Sequence, residues 1–192
     1  MSAFSHDSFD AYKQFVLTKC APLVGVACSI LEVGSYEGES LTWFAETIAT
    51  HASATVKSID DGIDRPALWP GVDLSQALSN NVTASAAAAK VTVATADPRT
   101  QLFLETAASY DVVHLRWGTE VRDWFALALG AWRVLNSTSR LFIDVRGDGS
   151  IVNNPVLAAV RRAELEAAVA ELEAWTGRTA TWSRSYVYLT KP

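Results

Sequence analysis

The sequence has few cysteines and no long apolar segment. Its 192 residues include only Cys20 and Cys28, too few for a disulfide framework or a metal cluster, and both are expected to be buried thiols. No apolar run is long enough to cross a bilayer, and the first residues lack the basic and apolar regions of a signal peptide. We therefore expect a cytoplasmic protein that does not bind membranes.

Positive charge is also scarce. The net charge is −5, and the only adjacent basic pair, Arg161-Arg162, lies in a segment rich in Ala and Glu that is typical of a solvated helix face. Because binding to nucleic acid needs clustered Lys and Arg, we expect no nucleic-acid partner. Hydrophobic residues make up 49% of the chain, enough for the core of one domain over residues 1–192, in which residues 1–27 form an N-terminal lead-in helix region.

Residues 30–40 are the most informative segment of the chain. A short apolar strand reaches Glu32, and glycines follow two and six positions later, before a helical pattern. A dinucleotide-binding turn needs G-x-G-x-x-G to bring backbone N–H groups onto a pyrophosphate, whereas this segment reads E-x-G-x-x-x-G. S-adenosylmethionine has an ammonium, a sulfonium, a carboxylate and a ribose diol but no phosphate, so acids around a tight turn suit it. We predict that it is bound by Glu32, Gly34, Ser35, Tyr36 and Gly38; an ordinary strand-to-helix turn is the alternative.

A second acid follows the next strand. Residues 54–59 are rich in β-formers and lead into Asp60-Asp61-Gly62, with Asp60 28 positions after Glu32. In doubly wound folds the acid that ends the second strand can accept hydrogen bonds from both ribose hydroxyls. We therefore predict that Asp60 and Asp61 also bind the cofactor. Alternatively, Asp60 caps the following loop and Asp61-Gly62 is only a turn.

The rest of the chain alternates between helical and strand patterns without a linker or an internal repeat. Apolar spacing and punctuation by Gly and Pro predict both kinds of element. Helices are predicted over 7–20, 41–48, 74–90, 98–108, 121–135 and 155–175, and strands over 28–33, 54–60, 91–95, 111–116 and 140–144, followed by a hairpin over 179–189.

Five segments together resemble a class I S-adenosylmethionine-dependent methyltransferase: residues 32–38, 58–60, 96–98, 110–115 and 186–191. The resemblance runs from about residue 28 to the end, and the first two segments are the specific ones. The closest group contains small single-domain enzymes that methylate small hydroxylated molecules. The resemblance implies an α/β fold, Rossmann-like and doubly wound, with a mostly parallel seven-stranded sheet, an antiparallel last strand and helices on both faces.

The resemblance also implies roles for residues after the third, fourth and fifth strands. Asp97 would lie beside the adenine amino group, although Asp97-Pro98 is an equally good helix start. Relatives that use a metal carry an acid where this chain has Arg116, and two oxygen ligands where it has Asp144-Val145. Because a divalent cation needs several oxygen ligands, we predict that no catalytic metal is bound.

Three residues are candidates for catalysis. Arg116 could hold an anionic group of the substrate or form a structural ion pair with Asp144. His114 is the nearest candidate for a general base, although a histidine on a buried strand is more often a hydrogen-bonded core residue, and Asp144 or Glu120 could serve instead.

The favoured function is S-adenosylmethionine-dependent transfer of a methyl group to a small molecule, with a hydroxyl group as the favoured acceptor and no catalytic metal. The alternative is a catalytically degenerate domain that binds S-adenosylmethionine or S-adenosylhomocysteine as a binding or scaffold module. A nicotinamide-dependent oxidoreductase is disfavoured because G-x-G-x-x-G is absent. The expected partner is a small-molecule methyl acceptor, and assembly as a homodimer is compatible with these predictions.

Overall fold

The computed structural model describes residues 9–63, 71–116, 124–144, 155–183 and 186–192. The strands are β1 (Ser29–Val33), β2 (Thr55–Asp60), β3 (Val91–Thr95), β4 (Tyr110–Leu115), β5 (Leu135–Asp144), β6 (Thr181–Ser183) and β7 (Tyr186–Thr190). The helices are α1 (Asp10–Cys20), α2 (Glu39–Trp43), which continues as a π-helical turn over Phe44–Ile48, α3 (Leu74–Ala84), α4 (Pro98–Leu104), α5 (Trp124–Val134) and α6 (Pro155–Thr176). Glu120 and Val145 lie outside the described residues.

The strands follow the order β3-β2-β1-β4-β5-β7-β6 in a seven-stranded sheet. Strand β1 is parallel to β2, β2 to β3, and β4 to β5, whereas β7 is antiparallel to both β5 and β6. The predicted mostly parallel sheet with an antiparallel last strand is therefore confirmed. Among the described residues, no helix is both long enough and apolar enough to cross a membrane.

Two compact units make up the chain, Met1–Asp97 and Pro98–Pro192. In the first unit, the spacing of Leu41, Phe44, Ala45 and Ile48 is that of one helix face, and all four residues are buried. Phe9, before α1, is also buried and meets the ring of Trp43 edge-on, with the ring centroids 5.2 Å apart. Cys20 and Cys28 are buried free thiols, as predicted.

The second unit has a core made from β4, β5, α5 and α6. Trp132 of α5 is buried. Leu165, Val169 and Leu172 of α6 are also buried, and their spacing is that of one helix face. Helices were expected over both segments from their apolar spacing.

Two predicted helices end earlier than expected. The helix predicted to reach residue 90 ends at Ala84, because Ser85 leaves the helix in an extended conformation. The Ser85 hydroxyl donates to Glu46 Oε1 at 2.7 Å. The helix predicted to reach residue 108 ends at Leu104, and Arg133 Nη2 donates to three carbonyl oxygens at that end. The carbonyls belong to Leu102, Phe103 and Glu105.

Strand β5 begins earlier than predicted. The apolar spacing predicts Leu135 at the end of the preceding helix, but the helix ends at Val134 and Leu135 pairs with Tyr110 of β4. Leu135 is fully buried. An apolar residue at this position satisfies either assignment, so the periodicity did not distinguish them.

Candidate cofactor and catalytic sites

The turn after β1 contains three residues in the left-handed region of backbone conformation. Their φ values are 83° at Gly34, 52° at Tyr36 and 85° at Gly38. The turn is closed by hydrogen bonds from Gly34 N to Ile59 O at 2.9 Å and from Gly38 N to Ser35 O at 2.8 Å. A left-handed conformation costs a residue with a Cβ roughly 1–2 kcal/mol, so the backbone at Tyr36 needs support from its surroundings.

Asp60, the last residue of β2, supplies that support. Its side chain is only 3% exposed, and Oδ2 accepts a hydrogen bond from Tyr36 N at 3.0 Å. Oδ1 accepts another from Gly62 N at 2.9 Å, so Asp60 does cap the following loop. These two bonds hold the turn after β1 and the loop after β2 to the same carboxylate.

Glu32 lies fully buried near the end of β1. Its carboxylate accepts hydrogen bonds from the hydroxyls of Ser35, at 2.7 Å, and Ser40. Ser35 Oγ is also 2.7 Å from Ser58 Oγ on the neighbouring strand β2. We call Glu32, Ser35, Ser40 and Ser58 the hydroxyl network; all four side chains have 0% exposure.

Gly38 begins α2 and lies against α3. A Cβ added at this position would come within 2.8 Å of Leu78 Cδ1. The sequence predicts that Gly38 belongs to the cofactor-binding turn. The structure adds a packing reason, because both the left-handed φ and the contact with Leu78 exclude a larger side chain.

Glu39 joins the start of α2 to α1. Its Oε1 lies 3.5 Å from Lys13 Nζ, and its Oε2 accepts a hydrogen bond from Phe9 N at 3.3 Å. Although burial lowers the pKa of Lys13, its hydrogen bond to Asp10 and the charge of Glu39 together raise that pKa above its ordinary value. The N-terminal helix is thus attached to the residue that follows the glycine turn.

A cavity of about 300 Å³ opens beside Asp60. Its apolar lining comes from Leu78, Val82 and Val93, and its polar lining includes hydroxyls from α3 and β3. These hydroxyls belong to Ser75, Ser79, Thr83 and Thr95. The cavity thus places a carboxylate at the edge of a partly apolar space, within the first compact unit.

The two remaining predicted acids have different surroundings. Asp61 Oδ1 accepts a hydrogen bond from Ile63 N at 3.0 Å, which is the turn contact that the alternative interpretation expected. Asp97 is exposed and directly precedes Pro98, the first residue of α4. Binding of the cofactor by either acid stays a prediction.

In the second unit, Arg116 follows β4 and Asp144 ends β5. Arg116 Nε lies 3.5 Å from Asp144 Oδ2, and the two side chains are 7% and 3% exposed. An ion pair between these residues is therefore present, which is one of the two roles that the sequence leaves open for Arg116. Its charges neutralise each other in a buried position, and contact with a substrate stays a prediction.

His114 is fully buried on β4. Its Nε2 lies 2.6 Å from Tyr186 Oη on β7, and the two rings stack with their centroids 5.6 Å apart. This is the arrangement expected of a hydrogen-bonded core histidine, the alternative weighed from the sequence. A role as general base stays a prediction.

Ser40, Ser58 and Tyr186 contact predicted site residues but were not themselves predicted from the sequence. Ser58 offered a weak signal, since it is a small polar residue inside a buried strand.

Among the residues that the structure describes, no group of three or more His, Cys, Asp or Glu side chains could hold a metal ion.

No protein-family model and no curated protein matches the chain. Solved structures match it over nearly its whole length. A candidate caffeoyl-CoA O-methyltransferase from Staphylococcus aureus is 15% identical, with a TM-score of 0.67 over 99% of this chain and 85% of the other. An O-methyltransferase from Bacillus cereus in complex with S-adenosylhomocysteine is 16% identical, with a TM-score of 0.61 over 99% and 83%.

TomG, an O-methyltransferase from Streptomyces achromogenes in complex with S-adenosylmethionine, is 15% identical, with a TM-score of 0.60 over 100% of this chain and 82% of the other. At such identities the likeness concerns the fold. The chain has the fold of the class I S-adenosylmethionine-dependent methyltransferases.

Proposed function

We propose that this protein is an S-adenosylmethionine-dependent methyltransferase that acts on a small molecule, at a hydroxyl group, without a catalytic metal. The observation that carries the proposal is the pair of buried acids Glu32 and Asp60. They lie near the carboxyl ends of the parallel strands β1 and β2, around a turn with three left-handed residues. In open α/β sheets, ligands bind at this edge.

The residues present fit the chemistry of S-adenosylmethionine. The ribose diol presents two hydroxyl donors, which a carboxylate such as that of Asp60 can accept. The ammonium suits a carboxylate such as Glu32, which accepts hydrogen bonds from the hydroxyls of Ser35 and Ser40. When bound, the cofactor supplies an activated methyl group.

Methyl transfer needs an in-line approach of the acceptor oxygen, and positioning can supply much of the rate. Arg116 is the proposed contact for an anionic group on the acceptor, because a planar guanidinium binds carboxylates through paired hydrogen bonds. The net charge of −5 supports a small molecule rather than nucleic acid as the acceptor.

The proposal also includes a cytoplasmic location and assembly as a homodimer. Sedimentation of the purified protein tests the homodimer.

Calorimetric titration tests the cofactor. We expect the wild-type protein to bind S-adenosylmethionine and S-adenosylhomocysteine but not NAD. In Asp60→Ala, S-adenosylhomocysteine should lose one or two charge-assisted hydrogen bonds, each worth about 1.5–3 kcal/mol. Binding of NAD alone would contradict the proposal, and unchanged S-adenosylhomocysteine affinity in the variant would contradict the role of Asp60.

Asp73→Ala is the matched control for that variant. Asp73 belongs to the same unit, and its Oδ1 also accepts a backbone hydrogen bond, from Gln76 N at 2.8 Å. Asp60→Ala also removes the acceptor of Tyr36 N, so both variants need a measured free energy of unfolding. Only Asp60→Ala should lower the affinity for S-adenosylhomocysteine by more than its change in the free energy of unfolding explains.

The buried Arg116–Asp144 ion pair favours a second candidate, a non-catalytic module that binds the same cofactor. Two charges that neutralise each other need no substrate to stabilise them. Turnover with a panel of phenols, sugars and carboxylic acids distinguishes the two functions. Tight cofactor binding without turnover on the whole panel would favour the module.

A further inference from the structure

Strand β3 is the outermost of the described strands at one end of the sheet. Just after it, Ala96 N donates to Asp60 O of β2 at 2.9 Å. Because the N–H and C=O groups of alternate residues in a strand point to the same side, the even-numbered residues of β3 face β2. The residues whose backbone groups point outward, away from the sheet, are Val91, Val93 and Thr95.

This edge lacks the features that normally protect an edge strand. Natural edge strands avoid pairing with another chain through charged side chains, proline, a bulge or a short length. Strand β6, at the other end of the strand order, has only three residues. Strand β3 has five, with no charge, no proline and an unbroken register with β2. The exposed residues of β3 are Thr92, Val93 and Thr95.

The surface around β3 also carries almost no charge. Charged residues make up 19% of the chain, yet Lys90 is the only one between Leu74 and Ala96, a segment that contains α3 and β3. Its Nζ donates to the carbonyl oxygens of Ala49, at 2.6 Å, and His51, at 3.0 Å. Protein interfaces are depleted of charged residues at their centre, and this segment has that composition.

We infer that β3 pairs antiparallel with β3 of a second copy of the chain, around a two-fold axis at Val93. Each copy has a net charge of −5, so two copies associate best through a surface that brings no like charges together. The axis places Val93 opposite the partner subunit's Val93 and Val91 opposite the partner subunit's Thr95, so all three outward residues pair. This inference rests on the homodimer of the proposed function and identifies its interface.

Helix α3 extends this interface. A pair of five-residue strands is smaller than a standard interface of about 800 Å² per partner. Val93 and Thr95 line the cavity beside α3, so α3 covers the face of β3 from which their side chains project. A two-fold axis perpendicular to the sheet puts α3 of both copies on that same face. The exposed α3 residues that line the cavity are uncharged, namely Ser75, Ser79 and Thr83.

Val93→Lys tests the pairing, because the axis places the two introduced charges directly opposite each other. We expect the dissociation constant of the dimer, measured by sedimentation equilibrium, to rise about tenfold. A mixture of Val93→Lys and Val93→Glu proteins should form a heterodimer, since opposite charges then meet across the axis. Val93→Pro is the second variant. It removes an outward N–H and leaves the hydrogen bonds between β2 and β3 intact, so it should also weaken the dimer.

Thr181→Lys is the matched control, because Thr181 is an exposed residue of β6 at the other end of the strand order. It should leave the dissociation constant unchanged, and the free energy of unfolding identifies any variant that does not fold. A wild-type protein that stays monomeric at all concentrations would overturn both the homodimer and this inference, while calorimetry tests cofactor binding independently. A wild-type dimer that no folded Val93 variant weakens, or a Lys and Glu mixture that stays monomeric, would overturn the inference alone.

Discussion

The acids near the ends of β1 and β2 differ in their surroundings from the acid at the end of β5. Glu32 and Asp60 accept hydrogen bonds from neutral serine hydroxyls and backbone amides. Asp144 instead faces the guanidinium of Arg116 at 3.5 Å. Neutral donors hold a carboxylate in place without cancelling its charge, whereas a guanidinium cancels it.

The difference bears separately on the proposed cofactor binding and on the proposed catalysis. A carboxylate held by neutral donors can take a ligand that brings a cation or hydroxyl groups, as the proposed cofactor does. A carboxylate in a buried ion pair is stabilised without a ligand, and a substrate must compete with its partner for contacts. The first unit therefore supports the cofactor proposal more directly than the second unit supports any particular catalytic step.

Arg116→Met should have the largest effect on stability, because it leaves Asp144 buried without its cation. Breaking a buried pair in this way costs about 3–5 kcal/mol, measured as the free energy of unfolding in urea. The double variant Arg116→Met/Asp144→Leu should recover much of that loss. If the free energy of unfolding of Arg116→Met lay within about 1 kcal/mol of the wild-type value, the ion pair would not be a structural contact.

Gly38→Ala should have an intermediate effect, with Gly25→Ala as its control. Both glycines have a positive φ, 85° and 77°, so both variants incur the left-handed cost of roughly 1–2 kcal/mol. Only at Gly38 does the new Cβ meet a neighbour, Leu78 Cδ1 at 2.8 Å, whereas nothing lies within 4 Å at Gly25. Gly38→Ala should therefore destabilise the protein more and weaken S-adenosylhomocysteine binding. If Gly38→Ala and Gly25→Ala changed stability and binding by equal amounts, the contact with Leu78 would be relieved without cost.

Removal of metal ions should have the smallest effect. If the protein turns over without a divalent cation, activity should survive excess chelator and gain nothing from added magnesium. Arg116→Lys should lower that activity even though the charge is kept, because the planar fork of the guanidinium is lost. Activity that chelator abolishes would contradict the metal-free proposal.

Local patterns predicted the strands and the positions of both acids, whereas the seven-stranded sheet was expected from the family resemblance. A buried strand, the acid near its end and the following glycine are neighbours in sequence, so Glu32, Gly34 and Asp60 could be placed near strand ends without a structure. The bonding of these acids could not be predicted, since Ser58 reaches Ser35 across 23 residues and Asp60 reaches Tyr36 across 24. These distances along the chain are closed only by strand pairing.

The end of α4 also depends on a contact between residues that are distant in sequence. Pro98 was a reliable signal for the start of the helix. Its end is fixed by Arg133, a residue of α5 whose guanidinium binds the carbonyls of Leu102, Phe103 and Glu105. A cap supplied from about 30 residues away leaves no mark in the helix's own sequence.

The double role of Asp60 has an evolutionary consequence. Because its carboxylate braces the left-handed backbone at Tyr36 and the loop at Gly62, selection for folding alone would retain this acid in a lineage that had lost the proposed activity. Such a lineage would keep the acid of the proposed cofactor site as a by-product of stability.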